Sequence, residues 1–167
     1  MTQGSMTVNL WEFALRFYSD PDVQSACLAL QDEHGADVSV VICLLWRAAR
    51  GESLDLDEIT RLDGCVSRWR SEVVVPIRHI RRHLKQQALL PVRNEQEAFR
   101  NRIKAVELEA EKTELQWLQN ASGDLEGPAE TGAAAYNNLS TYLRYASGTQ
   151  DTPEVVVLCQ RLTDVNQ

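Results

Sequence analysis

The 167-residue sequence lacks a long apolar run, a closely spaced cysteine pair and a signal-peptide pattern. Its longest apolar run, VSVVICLLW from Val38, reaches about half the length that a bilayer requires. The N-terminus shows no basic stretch followed by an apolar core. The four cysteines lie far apart, which favours small buried side chains over disulfides or metal ligands and fits a reducing cytoplasm. We therefore expect a cytoplasmic protein without a membrane contact.

Catalytic and cofactor motifs are missing as well. The patterns GxSxG, GxGxxG and GxxxxGKS/T do not occur, and no cysteine and histidine have the spacing of a catalytic pair. The formal net charge of -7 disfavours a general affinity for nucleic acid or for an anionic membrane. These absences argue against an enzyme, and we expect no cofactor.

What the sequence does contain is helical periodicity in nearly every segment. Asn9 with Glu12, Asp20 and Asp37 are predicted N-caps, because short polar side chains there precede apolar residues at helical spacing. The segment 38–50 is apolar almost all round, so it is predicted to be a buried central helix. The pattern indicates an all-α protein.

The predicted organisation is a single domain over residues 1–167, a bundle of about seven to eight helices. Residues 1–6 are predicted to be a disordered lead-in. Residues 121–132 contain three glycines and a proline and are predicted to be a flexible loop. Residues 133–167 are predicted to form the C-terminal helices. Pro76 is predicted to separate two helices, or to kink one, near residues 74–76.

The longest helix is predicted over about residues 95–120, with Asn94 and Glu97 forming a capping box at its start. Its apolar residues are spaced alternately four and three apart, which predicts one packing stripe along a neighbouring helix. The stripe comprises Phe99, Ile103, Val106, Ala110, Thr113 and Trp117.

Three segments together resemble a known family. They are LWEFALRFYSDPDVQSACLALQDEHGADVSVVICLLW, WRSEVVVPIRHIRRHLK and AVELEAEKTELQWL, and the likeness covers about residues 8–120. The family is one of small proteobacterial proteins of unknown function. The resemblance implies a bacterial cytoplasmic origin, and it implies no catalytic residues.

A basic segment interrupts the acidic chain. Between Arg68 and Lys104 there are ten basic residues and three acidic ones. Such a concentrated face can attract an acidic protein, a nucleic-acid backbone or an anionic ligand. We favour an acidic protein partner, because nucleic-acid readers often add aromatic or glycine-rich elements that are scarce here. The candidate partner-binding residues are Arg78, Arg81, Arg82, Lys85, Arg93, Arg100 and Arg102. Alternatively, the bundle's own acidic helices neutralise this face.

Two further groups of residues are candidates for a site. The stretch QDEHGAD places Asp32, Glu33, His34 and Asp37 at a predicted helix corner, where carboxylates could hold Mg²⁺ for an anionic ligand. The simpler interpretation is that Asp37 caps the next helix. His79 and His83 are four residues apart, the spacing at which two imidazoles can share a metal, but no nearby third ligand is evident.

The leading hypothesis is therefore a non-enzymatic adaptor protein that uses its basic helical face to bind an acidic partner. The first alternative is an enzyme or small-ligand binder that uses the Asp32–Asp37 corner. The second alternative is an RNA-associated or ribosome-associated protein, which predicts binding that weakens steeply with salt. The sequence does not decide the oligomeric state.

Overall fold

The structure is a computed structural model that describes residues 8–123 and 126–165. Within these ranges the chain forms eight α-helices and one π-helical turn, with no strand. The predicted all-α bundle is confirmed, whereas the predicted lead-in at residues 1–6 lies outside the described residues. The elements in chain order are α1 (Leu10–Phe17), α2 (Pro21–His34), α3 (Val38–Ala49), α4 (Leu56–Trp69), the π-turn (Arg70–Val74), α5 (Val75–Gln86), α6 (Arg93–Ser122), α7 (Thr131–Ser147) and α8 (Pro153–Val165).

The predicted helix starts of the first third are confirmed, because short polar side chains accept hydrogen bonds from otherwise unpaired N–H groups. Asn9 accepts from the N–H of Glu12 at 2.9 Å. Asp20 and Asp37 each accept from the N–H two residues later, at 2.8 Å in both cases. These caps fix the directions in which α1, α2 and α3 leave their connecting turns.

Helix α3 is the centre of the bundle, as predicted. All of its residues from Ser39 to Ala48 are buried, and it packs against α1, α2, α6, α7 and α8. A helix that is apolar on every face is stable in water only when other helices surround it. The core therefore assembles around α3.

Helices α4 and α5 form one continuous rod through the π-turn, so the interruption predicted near Pro76 is present but does not end the helix. Proline has no N–H to donate to the carbonyl four residues earlier. Just before Pro76 one turn of the helix contains an extra residue, because the N–H of Val75 donates to the carbonyl of Arg70, five residues earlier. A wider turn of this kind accommodates the interruption without breaking the rod.

Helix α6 begins at Arg93 and has no side-chain N-cap, so the predicted Asn94–Glu97 capping box is wrong. The predicted packing stripe is also wrong in part, since Phe99, Val106 and Trp117 are exposed. Two glutamates are among the buried residues of α6, because arginines and a carboxyl group of other segments interact with them. The buried residues of α6 are Gln96, Glu107, Ala110, Glu114, Leu115, Leu118 and Ser122.

The connection between α6 and α7 is shorter than predicted, since residues 121, 122, 131 and 132 are helical. Its later part runs against the end of α3. The N–H of Gly127 donates to the carbonyl of Arg50, and the N–H of Ala129 donates to that of Gly51, each at 2.9 Å. A Cβ at Gly127 would collide with the Gly51 carbonyl. This close backbone approach requires glycine.

Candidate functional site

Helices α5 and α6 form a hairpin whose first helix contributes nothing to the core. No residue of α5 is buried, and α5 packs chiefly on α6 and the π-turn. We call residues 75–102 the arm. A helix that contributes no buried side chain is available for contacts with another molecule.

One buried side chain holds the turn of the arm. The Gln96 side-chain oxygen accepts from the N–H groups of Leu89 and Leu90, at 2.8 Å and 3.1 Å. Its nitrogen donates to the carbonyls of Leu84 and Gln87, at 2.8 Å and 2.6 Å. Four hydrogen bonds from one amide fix the path of a turn that contains no secondary structure of its own.

The turn carries apolar side chains into solvent. Leu89 is 57% exposed, and Leu90, Val92 and Phe99 are 48%, 48% and 45% exposed. We call these four residues the arm tip. Phe99 lies on α6 and the other three lie on the turn. Single exposed apolar residues are ordinary, but three on one fixed turn are typical of an interaction surface.

The predicted basic face is divided into two groups by the packing. On the core side, Arg78 donates to Glu107 at 3.1 Å and to Glu111 at 2.9 Å, and Arg81 also pairs with Glu107. Arg82 pairs with Asp32 of α2 at 3.0 Å. The acidic half of α6 therefore takes up much of the charge of α5, as the alternative interpretation of the sequence proposed.

Near the arm tip the basic residues have fewer partners. Arg100 pairs with Glu97 within α6. Arg102 lies over the ring of Phe99 at 5.4 Å and, like Lys85 and Arg93, forms no ion pair with any residue that the structure describes. These three cations remain available to an external anion.

A groove lies between α1, α2, α3, α5 and α6, with a cavity volume of about 780 Å³. One part of its wall is apolar and includes Leu15, Leu28, Ile42, Leu108 and Leu115. Charged side chains of α5 and α6 also line the groove, namely Arg78, Arg81, Arg82, Lys104, Glu107 and Glu111. The groove therefore combines an apolar and a charged lining.

The two carboxylates of the groove differ in their ionisation. Burial opposes the ionisation of Glu107, but hydrogen bonds from Arg81 and Arg78 hold its pKa below the usual range. Burial raises the pKa of Glu111, although Arg78 opposes that shift. Two arginines donate hydrogen bonds to Glu107 and one donates to Glu111, whose pKa the negative charge of Glu107 also raises.

The residues of the QDEHGAD corner have separate roles. Asp32 is exposed, and the hydrogen bond from Arg82 lowers its pKa. Glu33 is exposed, and His34 lies in the last turn of α2. Asp37 is buried; it caps α3 and accepts from Arg70 at 2.6 Å. Asp37 thus has the capping role that the simpler interpretation assigned to it.

No metal arrangement emerges from the candidate ligands. His79 and His83 are both exposed on α5. Within residues 8–123 and 126–165, no three histidine, cysteine, aspartate or glutamate side chains are grouped so that they could hold a metal ion.

A buried polar cluster was missed by the sequence analysis. Arg70 bridges Asp37 and Asp63, at 2.6 Å and 2.8 Å. Burial raises the pKa of Glu114, whose carboxyl also forms a hydrogen bond with Asp37. Two adjacent carboxyls share a hydrogen bond only when one of them carries a proton. A signal was present in the sequence, because Asp63 lies four residues after Ile59, on the apolar face of α4.

Fold and site together define a small all-α bundle with a protruding helical arm and an amphipathic groove. No helix among the described residues has the length and apolar character needed to cross a bilayer. Residues 9–118 match the family described as "Protein of unknown function (DUF2390)", and the chain belongs to this family. The match agrees with the predicted resemblance to a family of unknown function over about residues 8–120. Neither a curated protein nor a solved structure matches the chain.

Proposed function

We propose that this protein is a non-enzymatic cytoplasmic adaptor of bacterial origin that binds an acidic protein partner through its arm tip. The observation that carries the proposal is the turn held by Gln96, which presents the leucines at positions 89 and 90 to solvent. A surface fixed before binding loses less conformational entropy when a partner covers it.

The chemistry of the partner follows from the residues around the tip. Lys85, Arg93 and Arg102 have no ion-pair partner within the described part of the chain and flank an apolar cluster. An acidic protein surface with an apolar centre is complementary to this arrangement. Of the predicted basic face, the proposal therefore keeps the residues near the arm tip. It leaves out Arg78 and Arg81, because both form ion pairs with Glu107.

The test is a low-salt pull-down from bacterial cytoplasm, followed by titration of the purified retained protein. A tip variant carries Leu89→Ser, Leu90→Ser and Arg93→Glu. A matched control carries Leu56→Ser and Arg144→Glu, which change exposed residues outside the arm. Burying one leucine is worth about 1.5–3 kcal/mol at most, so losing two should weaken binding by more than about tenfold. Circular dichroism checks that all three proteins fold.

The proposal predicts that an acidic protein is retained by the wild type and the control but not by the tip variant, with and without nuclease. Retention that disappears after nuclease treatment would instead support an RNA-associated protein. Equal retention by the wild type and the tip variant would show that the arm tip is not the binding surface.

A further inference from the structure

The groove contains three exposed leucines that come from three different helices. Leu15 of α1 is 54% exposed, Leu28 of α2 is 45% exposed and Leu108 of α6 is 53% exposed. Each lines the same cavity, with Ile42 and Leu115 almost buried beside them. Three helices thus each expose a leucine toward the same cavity. Together these leucines form an apolar surface that no other part of the described structure covers.

The charged side chains that line the groove carry a net positive charge. Arg78, Arg81, Arg82 and Lys104 line it, against two carboxylates. Asp32, which pairs with Arg82, still leaves the cations in excess. Because the whole chain carries -7, this local excess is opposite in sign to the protein's average.

We propose that the groove binds a free single-chain anionic amphiphile, of the class of fatty carboxylates. The alkyl chain lies against Leu15, Leu28 and Leu108, and the carboxylate lies at Arg82 and Lys104. Arg82 is the most exposed of the α5 arginines, and Lys104 forms no ion pair with a described residue.

Size and shape favour this ligand over a protein segment. The cavity volume of about 780 Å³ falls within the range of roughly 300–1,000 Å³ typical of small-molecule sites. A mostly apolar lining with a few polar groups is the usual design of such sites. The proposal is independent of the arm tip, because none of the four arm-tip residues lines the groove.

The experiment is calorimetric titration of the full chain with decanoate, dodecanoate, dodecanol and dodecyltrimethylammonium, all below their aggregation concentrations. Each methylene that enters an apolar wall tightens binding about fourfold, so dodecanoate should bind up to about fifteenfold more tightly than decanoate. Dodecanoate should bind one to one and more tightly than the uncharged or cationic compound.

Substitutions in the groove test the contacts of the alkyl chain and of the carboxylate separately. Leu28→Gln and Leu108→Gln should each weaken dodecanoate binding about tenfold or more. Arg82→Gln should weaken dodecanoate but leave dodecanol unchanged. Leu56→Gln is the matched control, because Leu56 is 50% exposed and does not line the groove. It should bind dodecanoate like the wild type.

Fluorescence quenching tests independently whether the alkyl chain of the ligand lies in the groove. Trp11 lines the groove, and bromine quenches tryptophan fluorescence on contact, so 12-bromododecanoate should quench the wild type and do so much less in Trp11→Phe. Three results would overturn the proposal: no measurable binding, equal binding of the cationic compound, or unchanged binding in both leucine variants.

Discussion

Replacing Glu114 with glutamine should make the protein more stable at neutral pH. Glu114 is 1% exposed, and one of its carboxyl oxygens has no hydrogen-bond partner among the described residues. Burial raises its pKa above the ordinary value of 4.5, and the hydrogen bond with Asp37 raises it further. The folded protein therefore keeps a proton on Glu114 that the unfolded chain loses at neutral pH.

The sign and size of the effect follow from proton linkage. Unfolding releases this proton, so the contribution of Glu114 to the free energy of unfolding is fully present below the ordinary glutamate pKa and falls as pH rises toward the folded value. While Glu114 stays protonated in the folded state, the loss is about 1.4 kcal/mol per pH unit. Between about pH 5 and about pH 7 it amounts to about 3 kcal/mol.

Glutamine has nearly the same shape, can donate to Asp37 as the protonated acid does, and does not titrate. Urea denaturation of the wild type and Glu114→Gln across this pH range isolates the effect, because all other titrating groups are shared. The stability gap should open in favour of the variant as pH rises and close below about pH 4.5. Parallel curves would refute a raised pKa at Glu114.

Further predictions concern two glycines and the Gln96 side chain. Gly127→Ala should lower the free energy of unfolding by about 2–3 kcal/mol, because its Cβ meets the Gly51 carbonyl, whereas Gly64→Ala should raise it by about 0.5–1 kcal/mol. Thermal denaturation measures both, and a small effect at Gly127 would contradict the close approach. Gln96→Ala should accelerate hydrogen exchange at the Leu89 amide by about tenfold, at a stability cost of about 1 kcal/mol. Unchanged exchange there would show that the amide does not hold the turn.

The helix starts and the central helix could be predicted because their causes are local. Asn9 and Asp37 cap helices within two or three residues of themselves, and α3 is apolar almost all round. The packing face of α6 could not be predicted in this way. Glu107 and Glu114 are buried there because Arg78, Arg81 and the Asp37 carboxyl come from other helices. An apolar stripe on a helical wheel carries no information about such partners.

The candidate binding residues show the same limit. The sequence indicates that positive charge is concentrated between Arg68 and Lys104, but a wheel does not show which cations meet carboxylates of neighbouring helices. Arg78 is paired across the helix interface, whereas Arg93 is not. The exposed arm tip and the groove both depend on the α5–α6 packing, which is a property of the folded chain and not of either helix alone.

The adaptor function is tested most directly by photo-crosslinking in living bacterial cells. A photoreactive amino acid replaces Leu90 at the arm tip and, as the control, Leu56 on α4, two leucines of similar exposure. The account predicts that an acidic protein becomes attached through position 90 and not through position 56. Attachment of RNA at position 90, the same products at both positions, or no product at position 90 would contradict it.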